Sequence, residues 1–283
     1  MMSETLRALQ IANDRVASSE RFGGHTNQTF AGIVPVGGDA RTEPIMRAPA
    51  QRLLAVTILA SILASSLAGA ALAQAPPTFD AAMAHYNLGD LKGARAEFET
   101  LAKAGDGRAQ YNLGVMAQAG NGGPKDGVAA LAWYRKSADQ GNMLAMFNIA
   151  LMYDDGDGVP VNKTEAVRWY RIAADGGDAA SQYNLGQHYL DGDGVAKDAP
   201  TAIGWWRKAA EQGDAQAQFN MGAAYANGVG VAGDRIEAHK WFLLAAAAGY
   251  QDAAAAITQT KGKLTADEAS QGEARAAQWK AKH

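Results

Sequence analysis

The chain has 283 residues, of which 48% are hydrophobic and 19% are charged, a composition typical of a folded protein with a substantial core. Its 26 basic and 29 acidic residues give a formal net charge of −3, so charge gives no reason to expect binding to nucleic acid or to an anionic membrane surface. Because the chain contains no cysteine, disulfides, thiolate zinc sites, catalytic thiols and the acylated cysteine of a bacterial lipoprotein are all excluded.

Residues 1–45, at the N-terminus, are polar and show no sustained periodicity. They precede a methionine, Met46, that stands where an export signal would naturally begin. A polar extension of this length ahead of such a signal is unusual. We therefore interpret residues 1–45 as a mis-assigned translation start or as a disordered extension.

The next segment has the layout of an export signal. A short basic stretch precedes an uncharged apolar run over residues 53–73, which ends in an Ala-x-Ala motif formed by Ala71 and Ala73. The pattern predicts a secretory signal peptide over residues 46–73, cleaved between Ala73 and Gln74, and hence a periplasmic or secreted protein. Because the run is also long enough to span a bilayer, an uncleaved N-terminal membrane anchor is the alternative.

A 36-residue repeat follows the signal. Glycine recurs at this interval, and so does a tryptophan that is directly followed by a second aromatic residue. The glycines are Gly105, Gly141, Gly177, Gly213 and Gly249, and the tryptophans are Trp133, Trp169, Trp205 and Trp241. Self-similarity at such a period is typical of solenoids, in which each repeat buries its apolar face against the next.

The interval predicts six consecutive units between residue 79 and the C-terminus. A compact capping repeat comes first, four full repeats follow, and a partial repeat with a C-terminal capping helix comes last. Their predicted ranges are 79–104, 105–140, 141–176, 177–212, 213–248 and 249–283.

Each full repeat is predicted to contain two helices joined by a Gly-x-Gly turn. Oxygen-bearing side chains stand where they can cap the helix starts, and a small residue in each first helix permits close approach of a neighbour. The predicted caps are Asn142, Asp178 and Asp214 for first helices, and Asp126, Asn162, Asp198 and Asp234 for second helices. The small residues are Gly114, Ala150, Gly186 and Gly222. Capping-box spacing occurs in the pairs Asn162–Glu165, Asp234–Glu237 and Thr265–Glu268.

The second helices carry a core face and a charged face. An alanine precedes each tryptophan by three residues on the same helical face, which predicts that the tryptophans belong to the core. Arginines at three equivalent positions each have an acid four residues later, which predicts mutual neutralisation on a solvated surface rather than a polyanion site. These pairs are Arg135–Asp139, Arg171–Asp175 and Arg207–Glu211.

The fourth repeat breaks this charge pattern. Leu243 and Ala247 replace both members of the pair beside Leu244, so a face that is polar elsewhere becomes apolar near the end of the chain. We expect the final helix to cover this face. The residues predicted to do so are Leu264, Ala276 or Trp279.

Together, the aromatic-Asn-aliphatic-small motif, the Gly-x-Gly turn, the acidic cap and the Ala-x-x-Trp-aromatic motif resemble the Sel-one-like repeat family over residues 79–283. The resemblance implies an all-α fold, a right-handed α-solenoid of stacked helix-turn-helix repeats related to tetratricopeptide repeats. It also implies an adaptor in assembling complexes. Some disulfide-stapled family members are described as β-lactamase-like, and this chain departs from them because it has no cysteine.

The expected function is therefore a non-enzymatic scaffold or adaptor in the bacterial cell envelope, with a protein or peptide as its partner and with no cofactor. Neither nucleic acid nor, if the signal is cleaved, a membrane is an expected partner. The alternatives are a cell-envelope hydrolase of β-lactamase-like type and a membrane-anchored structural spacer. The sequence contains no Ser-x-x-Lys, Gly-x-Ser-x-Gly, His-Glu-x-x-His or P-loop motif that would support an enzyme.

Candidate partner-binding residues lie in the first helices, where the repeats differ from one another. If these helices line the concave surface, as in related solenoids, a partner would be recognised there, and ordinary surface drift is the alternative. The candidates are Met116, Gln118, Leu151, Met152, Gln187, His188 and Leu190.

No metal site is predicted from the sequence. The acidic turn around Asp155 has the wrong register for an EF-hand, since Pro160 falls where glycine is required. The histidines, among them His85, His188 and His239, are scattered without metal-site spacing, and surface or structural roles are expected for them.

Overall fold

The computed structural model describes residues 77–282, which form twelve α-helices and no β-strand. The all-α prediction is thereby confirmed for this part of the chain, whereas the predicted extension and signal over residues 1–73 lie outside the described residues. The helices are α1 (Phe79–Asn87), α2 (Leu91–Lys103), α3 (Gly107–Ala119), α4 (Gly127–Ala138), α5 (Met143–Asp155), α6 (Lys163–Asp175), α7 (Ala179–Asp191), α8 (Ala199–Glu211), α9 (Ala215–Asn227), α10 (Arg235–Ala247), α11 (Ala253–Lys261) and α12 (Ala266–Lys280).

The helices pack in chain order. From α1 to α10 the main contacts of each helix are with helices adjacent to it in the chain, while α11 and α12 both pack on α10. A chain whose repeats contact only their neighbours is a solenoid, so its stability is a sum of units and of the junctions between them.

Side-chain caps start the helices of the full repeats as predicted. Asp178 accepts a hydrogen bond from the backbone amide of Ser181 at 2.7 Å, and the equivalent contact in the next repeat joins Asp214 to the amide of Ala217 at 2.7 Å. Caps of the same kind are formed by Asp106, Asp126, Asn142, Asn162, Asp198 and Asp234. Each cap satisfies an amide that has no partner within its helix.

The capping-box prediction is confirmed in only one of its three positions. Thr265 and Glu268 exchange both hydrogen bonds at the start of α12. Glu165 instead accepts a hydrogen bond from Arg168, and Glu237 accepts from Lys240 and Arg275. These two glutamates bond to neighbouring cations instead of to the backbone amides of the cap residues.

The Gly-x-Gly turn joins the two helices of a repeat and docks on the preceding repeat. Gly192 ends α7 with φ +78°, and Gly194 follows with φ +73°, both in the left-handed region that glycine adopts at low cost. A Cβ on Gly194 would lie 2.4 Å from the carbonyl carbon of Lys163, at the start of α6. The turn therefore fits only because no side chain is present.

The core of each repeat is an aromatic ring seated against the small residue of the first helix. A Cβ on Gly186 would lie 2.4 Å from Cδ1 of Trp206, and one on Gly114 would lie 2.5 Å from Cδ1 of Tyr134. Trp206 and Tyr134 are almost completely buried. The predicted close approach of the helices is thus confirmed.

The core placement of the repeat tryptophans is confirmed for two of the four, and the other two lie nearer the surface than the sequence predicts. Trp169 and Trp241 are buried, but Trp133 and Trp205 keep partial exposure. Each ring is covered by a cation, as where Lys208 Nζ lies 3.8 Å from the centroid of Trp205. In the first three full repeats the aromatic residue after the tryptophan is more deeply buried than the tryptophan itself.

The predicted arginine–acid pairs are wrong. Arg135 donates to the hydroxyl of Tyr153 at 2.6 Å, and Arg207 donates to that of Tyr225 at 2.9 Å. Arg171 makes the same contact with Tyr189. In the part of the chain that the structure describes, no ion pair joins these arginines to the acids four residues later, because the guanidinium groups reach the next repeat instead.

The final helix covers the apolar end of the array, as predicted. Leu244 is buried in a cluster with Ala276 of α12, and Trp279 of α12 packs against the same cluster beside Leu243. The rings of Trp241 and Trp279 meet edge to face at 6.4 Å. Leu264 is half-buried outside this cluster and does not contribute to it.

Substitution of Gly186 tests the contact between the aromatic ring of a repeat and the small residue of its first helix. We expect Gly186→Ala to lower the free energy of unfolding by about 1–3 kcal/mol, because the added methyl group overlaps the Trp206 ring. Gly204→Ala is the matched control, since a Cβ at this exposed position of α8 meets nothing within 4 Å. It should raise stability by about 0.5–1 kcal/mol through helix propensity. The measurement is the midpoint of unfolding in urea. A midpoint that shifts in the same direction in both variants would contradict the proposed contact between Gly186 and Trp206.

His239 on α10 should make stability depend on pH. Its side chain is fully buried under Gly272 of α12, neither ring nitrogen has a hydrogen-bond partner, and burial lowers its pKa. The folded state therefore prefers the neutral ring. The contribution of His239 to the free energy of unfolding is therefore fully present above its unfolded pKa of about 6.5. This contribution falls as the pH drops below that value towards the lower pKa of the folded state.

The measurement is the melting temperature between pH 8 and pH 5, compared between the parent chain and His239→Leu. The difference between the two profiles isolates His239 from the other titrating groups. We expect the melting temperature of the variant to rise relative to that of the parent chain as the pH falls. Parallel profiles would show that the ring is not held neutral.

Candidate functional site

The seven predicted partner-binding residues do not form one surface. Met116 and Met152 are fully buried, and Leu190 is 6% exposed, each within an apolar cluster. These three cannot face a partner in this structure, so the prediction is corrected for them. The end of a first helix is enclosed by the repeats on both sides, and the residue differences there adjust core packing.

Gln118, another candidate, belongs to a polar contact between the first and second full repeats. Its amide nitrogen donates to Asp157 Oδ2 at 3.0 Å, and its carbonyl oxygen accepts from the hydroxyl of Tyr134 at 2.8 Å. Lys125 donates to the other oxygen of Asp157 at 2.7 Å. Gln118 thus connects the core of its own repeat to the turn of the next one. Leu151 is half-buried against the same core.

His188 lies at the equivalent junction between the second and third full repeats. Its Nδ1 is 2.8 Å from the backbone oxygen of Asp193, and its Nε2 is 3.4 Å from Asp154 Oδ1. Lys163 Nζ lies 2.7 Å from Asp154 Oδ1 and 3.5 Å from Asp193 Oδ2. We call Asp154, Lys163, His188 and Asp193 the junction cluster.

The junction cluster lines a cavity of about 210 Å³ together with Gln187 and Asp191. Each member is held by a different part of the fold. Asp154 lies in the last turn of α5, Lys163 begins α6, His188 lies in the last turn of α7 and Asp193 belongs to the Gly-x-Gly turn. Gln187 is the predicted site residue that remains accessible beside the cluster.

The charges of the cluster stabilise one another. Burial alone would raise the pKa of Asp154, but the contacts with His188 and Lys163 outweigh burial and lower this pKa. Burial would likewise lower the pKa of His188, but the contact with Asp154 outweighs it and raises the pKa above its ordinary value. A carboxylate thus lies between two groups that can carry positive charge.

A larger cavity of about 400 Å³ opens between α1, α3 and the start of α5. We call it the N-terminal groove. Phe79, Tyr111 and Leu144 form its apolar walls, while Arg108 and Asn112 add polar groups. The full lining also includes Asp106, Gly107, Ser137, Gln140, Gly141 and Asn142.

The polar groups of the groove are held in place by the caps beneath them. The guanidinium carbon of Arg108 lies 4.3 Å above the centroid of the Phe79 ring, while its Nη2 lies 2.9 Å from Asp106 Oδ2. Burial would raise the pKa of Asp106, but hydrogen bonds from Arg108 and the helix amides outweigh it and lower the pKa. The amide nitrogen of Asn112 donates to the sulfur of Met83, at 3.7 Å, and a thioether sulfur is a weak acceptor.

Sequence reasoning missed the groove because it compared the ends of the first helices rather than their starts. A signal was present: the second full repeat begins its first helix with Met143 and Leu144, where the other repeats have small or polar residues. Met143 is 41% exposed and Leu144 is 37% exposed. Two adjacent exposed apolar side chains in a structurally constant position indicate a surface that does more than pack.

The family model of the Sel1 repeat matches residues 107–142, 144–178, 179–214 and 215–250. The chain belongs to the Sel1 repeat family. The four matched segments correspond to the four helix pairs from α3 to α10, and the α-solenoid fold is confirmed. Sel1 repeat proteins typically act as protein–protein interaction scaffolds.

Solved structures of Sel1 repeat proteins resemble this chain. A Sel1 repeat protein from Oxalobacter formigenes is 30% identical, with a TM-score of 0.63 over 71% of this chain and 85% of the other. A protective antigen of uropathogenic Escherichia coli, c5321, is 32% identical, with a TM-score of 0.46 over 70% of this chain and 53% of the other. No curated protein matched the chain. Within residues 77–282, no helix is both long enough and apolar enough to cross a membrane.

Proposed function

We propose that this Sel1 repeat protein is a non-enzymatic scaffold of the bacterial cell envelope, and that it binds an extended segment of a partner protein in the N-terminal groove. The observation that carries this proposal is Leu144, an exposed apolar side chain that lines a cavity together with the aromatic rings of Phe79 and Tyr111. Concave sites with apolar walls and a few polar groups are typical of binding sites.

The groove suits a peptide that inserts one apolar side chain. Leu144, Phe79 and Tyr111 offer a desolvated contact for that side chain, the kind of contact in which binding energy concentrates. The amide of Asn112 donates to the thioether of Met83, a weak acceptor, and a peptide carbonyl would be a better acceptor. Arg108 has donors beyond those used by Asp106 and favours an acidic residue beside the apolar anchor.

The same groove gives little support to the hydrolase alternative. Ser137 lines it, but its hydroxyl donates to the backbone oxygen of Gly107 at 2.7 Å. No histidine lies among the residues that form this groove. A serine nucleophile requires an adjacent base that takes its proton, and Ser137 has none at hand.

A photo-crosslinking experiment tests the binding site. A crosslinking amino acid is placed at position 144, and separately at position 128 on α4, where Val128 is 70% exposed but lies outside the groove. Expressed in its own bacterium, the first variant should give a discrete adduct and the second should not. Equal adducts at both positions would contradict a localised site.

Once the adduct is identified, the affinity of the purified partner is compared for Leu144→Glu and Val128→Glu. We expect the first change to weaken binding at least about tenfold, because it places a charge in the desolvated contact, and the second to leave binding unchanged. Unchanged affinity of Leu144→Glu would rule out the groove.

Export is tested by isolating the protein from fractionated cells and sequencing its N-terminus. The signal over residues 46–73 predicts a periplasmic or secreted protein that begins at Gln74. A membrane-bound protein that retains the apolar run would favour the anchored spacer. A cytoplasmic protein that retains residues 46–73 would overturn the envelope assignment.

A further inference from the structure

We propose that the junction cluster is a binding site for one divalent d-block cation, of which Zn²⁺ is the representative. Its ligands would be Nε2 of His188 and the carboxylates of Asp154 and Asp193. The site would bridge the second and third full repeats, and it is independent of the N-terminal groove.

The orientation of the imidazole is the first argument. Nδ1 of His188 lies 2.8 Å from the backbone oxygen of Asp193, and a carbonyl oxygen can only accept. Nδ1 therefore carries the hydrogen, and in the neutral ring the lone pair belongs to Nε2. Metal-binding histidines are typically fixed in this way, with one nitrogen donating to a carbonyl and the other directed at the metal.

The spacing of the ligand atoms is the second argument. Nε2 of His188 and Oδ1 of Asp154 are 3.4 Å apart, longer than a good hydrogen bond. Two ligands of a tetrahedral ion with bonds of about 2.1 Å are themselves separated by about 3.4 Å. The carboxylate of Asp193 completes a set of three ligand atoms that all lie within 4.8 Å of one another.

Burial and space are the third argument. The side chain of His188 is only 7% exposed and that of Asp154 only 19%, so both are held firmly in the fold. The adjoining cavity of about 210 Å³ leaves room for a water molecule as a fourth ligand. Gln187 and Asp191 line this cavity and can hydrogen-bond such a water.

Lys163 shows that the two carboxylates already hold a cation. Its ammonium group contacts Asp154 Oδ1 at 2.7 Å and Asp193 Oδ2 at 3.5 Å. Because its side chain is 35% exposed and has a flexible four-carbon stem, the ammonium can turn into solvent when a metal ion enters. Lys163 is then a competitor that weakens metal binding without abolishing it.

The ligand set selects the class of metal. An imidazole nitrogen with two carboxylates suits Zn²⁺ and its d-block neighbours, whereas Ca²⁺ and Mg²⁺ prefer oxygen ligands throughout. The cluster also offers no thiolate or thioether for Cu(I). Zn²⁺ is therefore the probe to use first, and Co²⁺ is a spectroscopic substitute.

The preceding junction supplies matched variants. In the 36-residue register, Met152 occupies the place of His188 and Gln118 that of Asp154, while Asp157 corresponds to Asp193. His188→Met and Asp154→Gln therefore rebuild a junction that already folds within this chain. His85→Gln, on α1 and far along the sequence from the cluster, serves as the control for binding to another histidine.

The experiment titrates the metal-free full chain with Zn²⁺ by calorimetry and with Co²⁺ by visible absorption. We expect one equivalent to bind, to raise the melting temperature, and to give the Co²⁺ bands of a four-coordinate ion. His188→Met and Asp154→Gln should each weaken binding at least about tenfold, Lys163→Met should strengthen it, and His85→Gln should have no effect.

Absence of stoichiometric binding to the parent chain would overturn the proposal, and this result does not depend on any variant folding. Binding that survives His188→Met unchanged would also overturn it. If Lys163→Met leaves the affinity for Zn²⁺ unchanged, the ammonium group of Lys163 does not compete with the metal ion. Circular dichroism melting of each variant checks that the junction remains folded.

Discussion

The docking of each Gly-x-Gly turn on the start of the preceding repeat's second helix is the contact on which the array depends. At Gly194 the fit against Lys163 leaves no space for a Cβ, and the same is true at Gly122, Gly158 and Gly230. A turn that approaches a neighbouring backbone this closely fixes the register of one repeat on the next. The junction cluster follows directly, because this docking brings Asp193 to Lys163 and Asp154.

Within this fixed register, the positions that hold the fold carry similar residues in every full repeat, and other positions can vary. Tyr134, Trp206 and Phe242 pack directly on the glycine of the first helix in their own repeats. The tryptophan before each of them lies under a lysine, and Trp133 and Trp205 are partly exposed. Departures from the pattern are therefore informative. Leu144 lines a groove, and His188 occupies a position that is methionine in the preceding repeat.

Much of the fold could be predicted because its signals are local. Helix caps such as Asp178 act within three residues, and the small residues of the first helices recur at a fixed interval. Burial of Met116 and Leu190 could not be read in the same way, since it depends on how two flanking repeats enclose the end of a helix. The prediction of arginine–acid pairs was wrong for a related reason. Each arginine bonds to a tyrosine of the next repeat rather than to the acid four residues later in its own helix.

The candidate sites were harder to predict than the fold. Asp154 and His188 are 34 residues apart (188 − 154), and only the superposition of one repeat on the next brings their side chains together. The groove likewise combines α1 with the starts of α3 and α5. The periodicity of the sequence reveals the residues that all repeats have in common. These two sites depend instead on residues that occur in one repeat and differ in the others.

The contacts of Arg135, Arg171 and Arg207 with tyrosines bear on how the array can move. Each bond crosses from one repeat to the next on the exposed side of the molecule. A solenoid flexes by small rotations between repeats. A hydrogen bond between two repeats opposes such a rotation, so we expect these three bonds to stiffen the junctions between the four full repeats. At the last junction, where Leu243 replaces the arginine, stiffness comes from the apolar contact with the final helix instead.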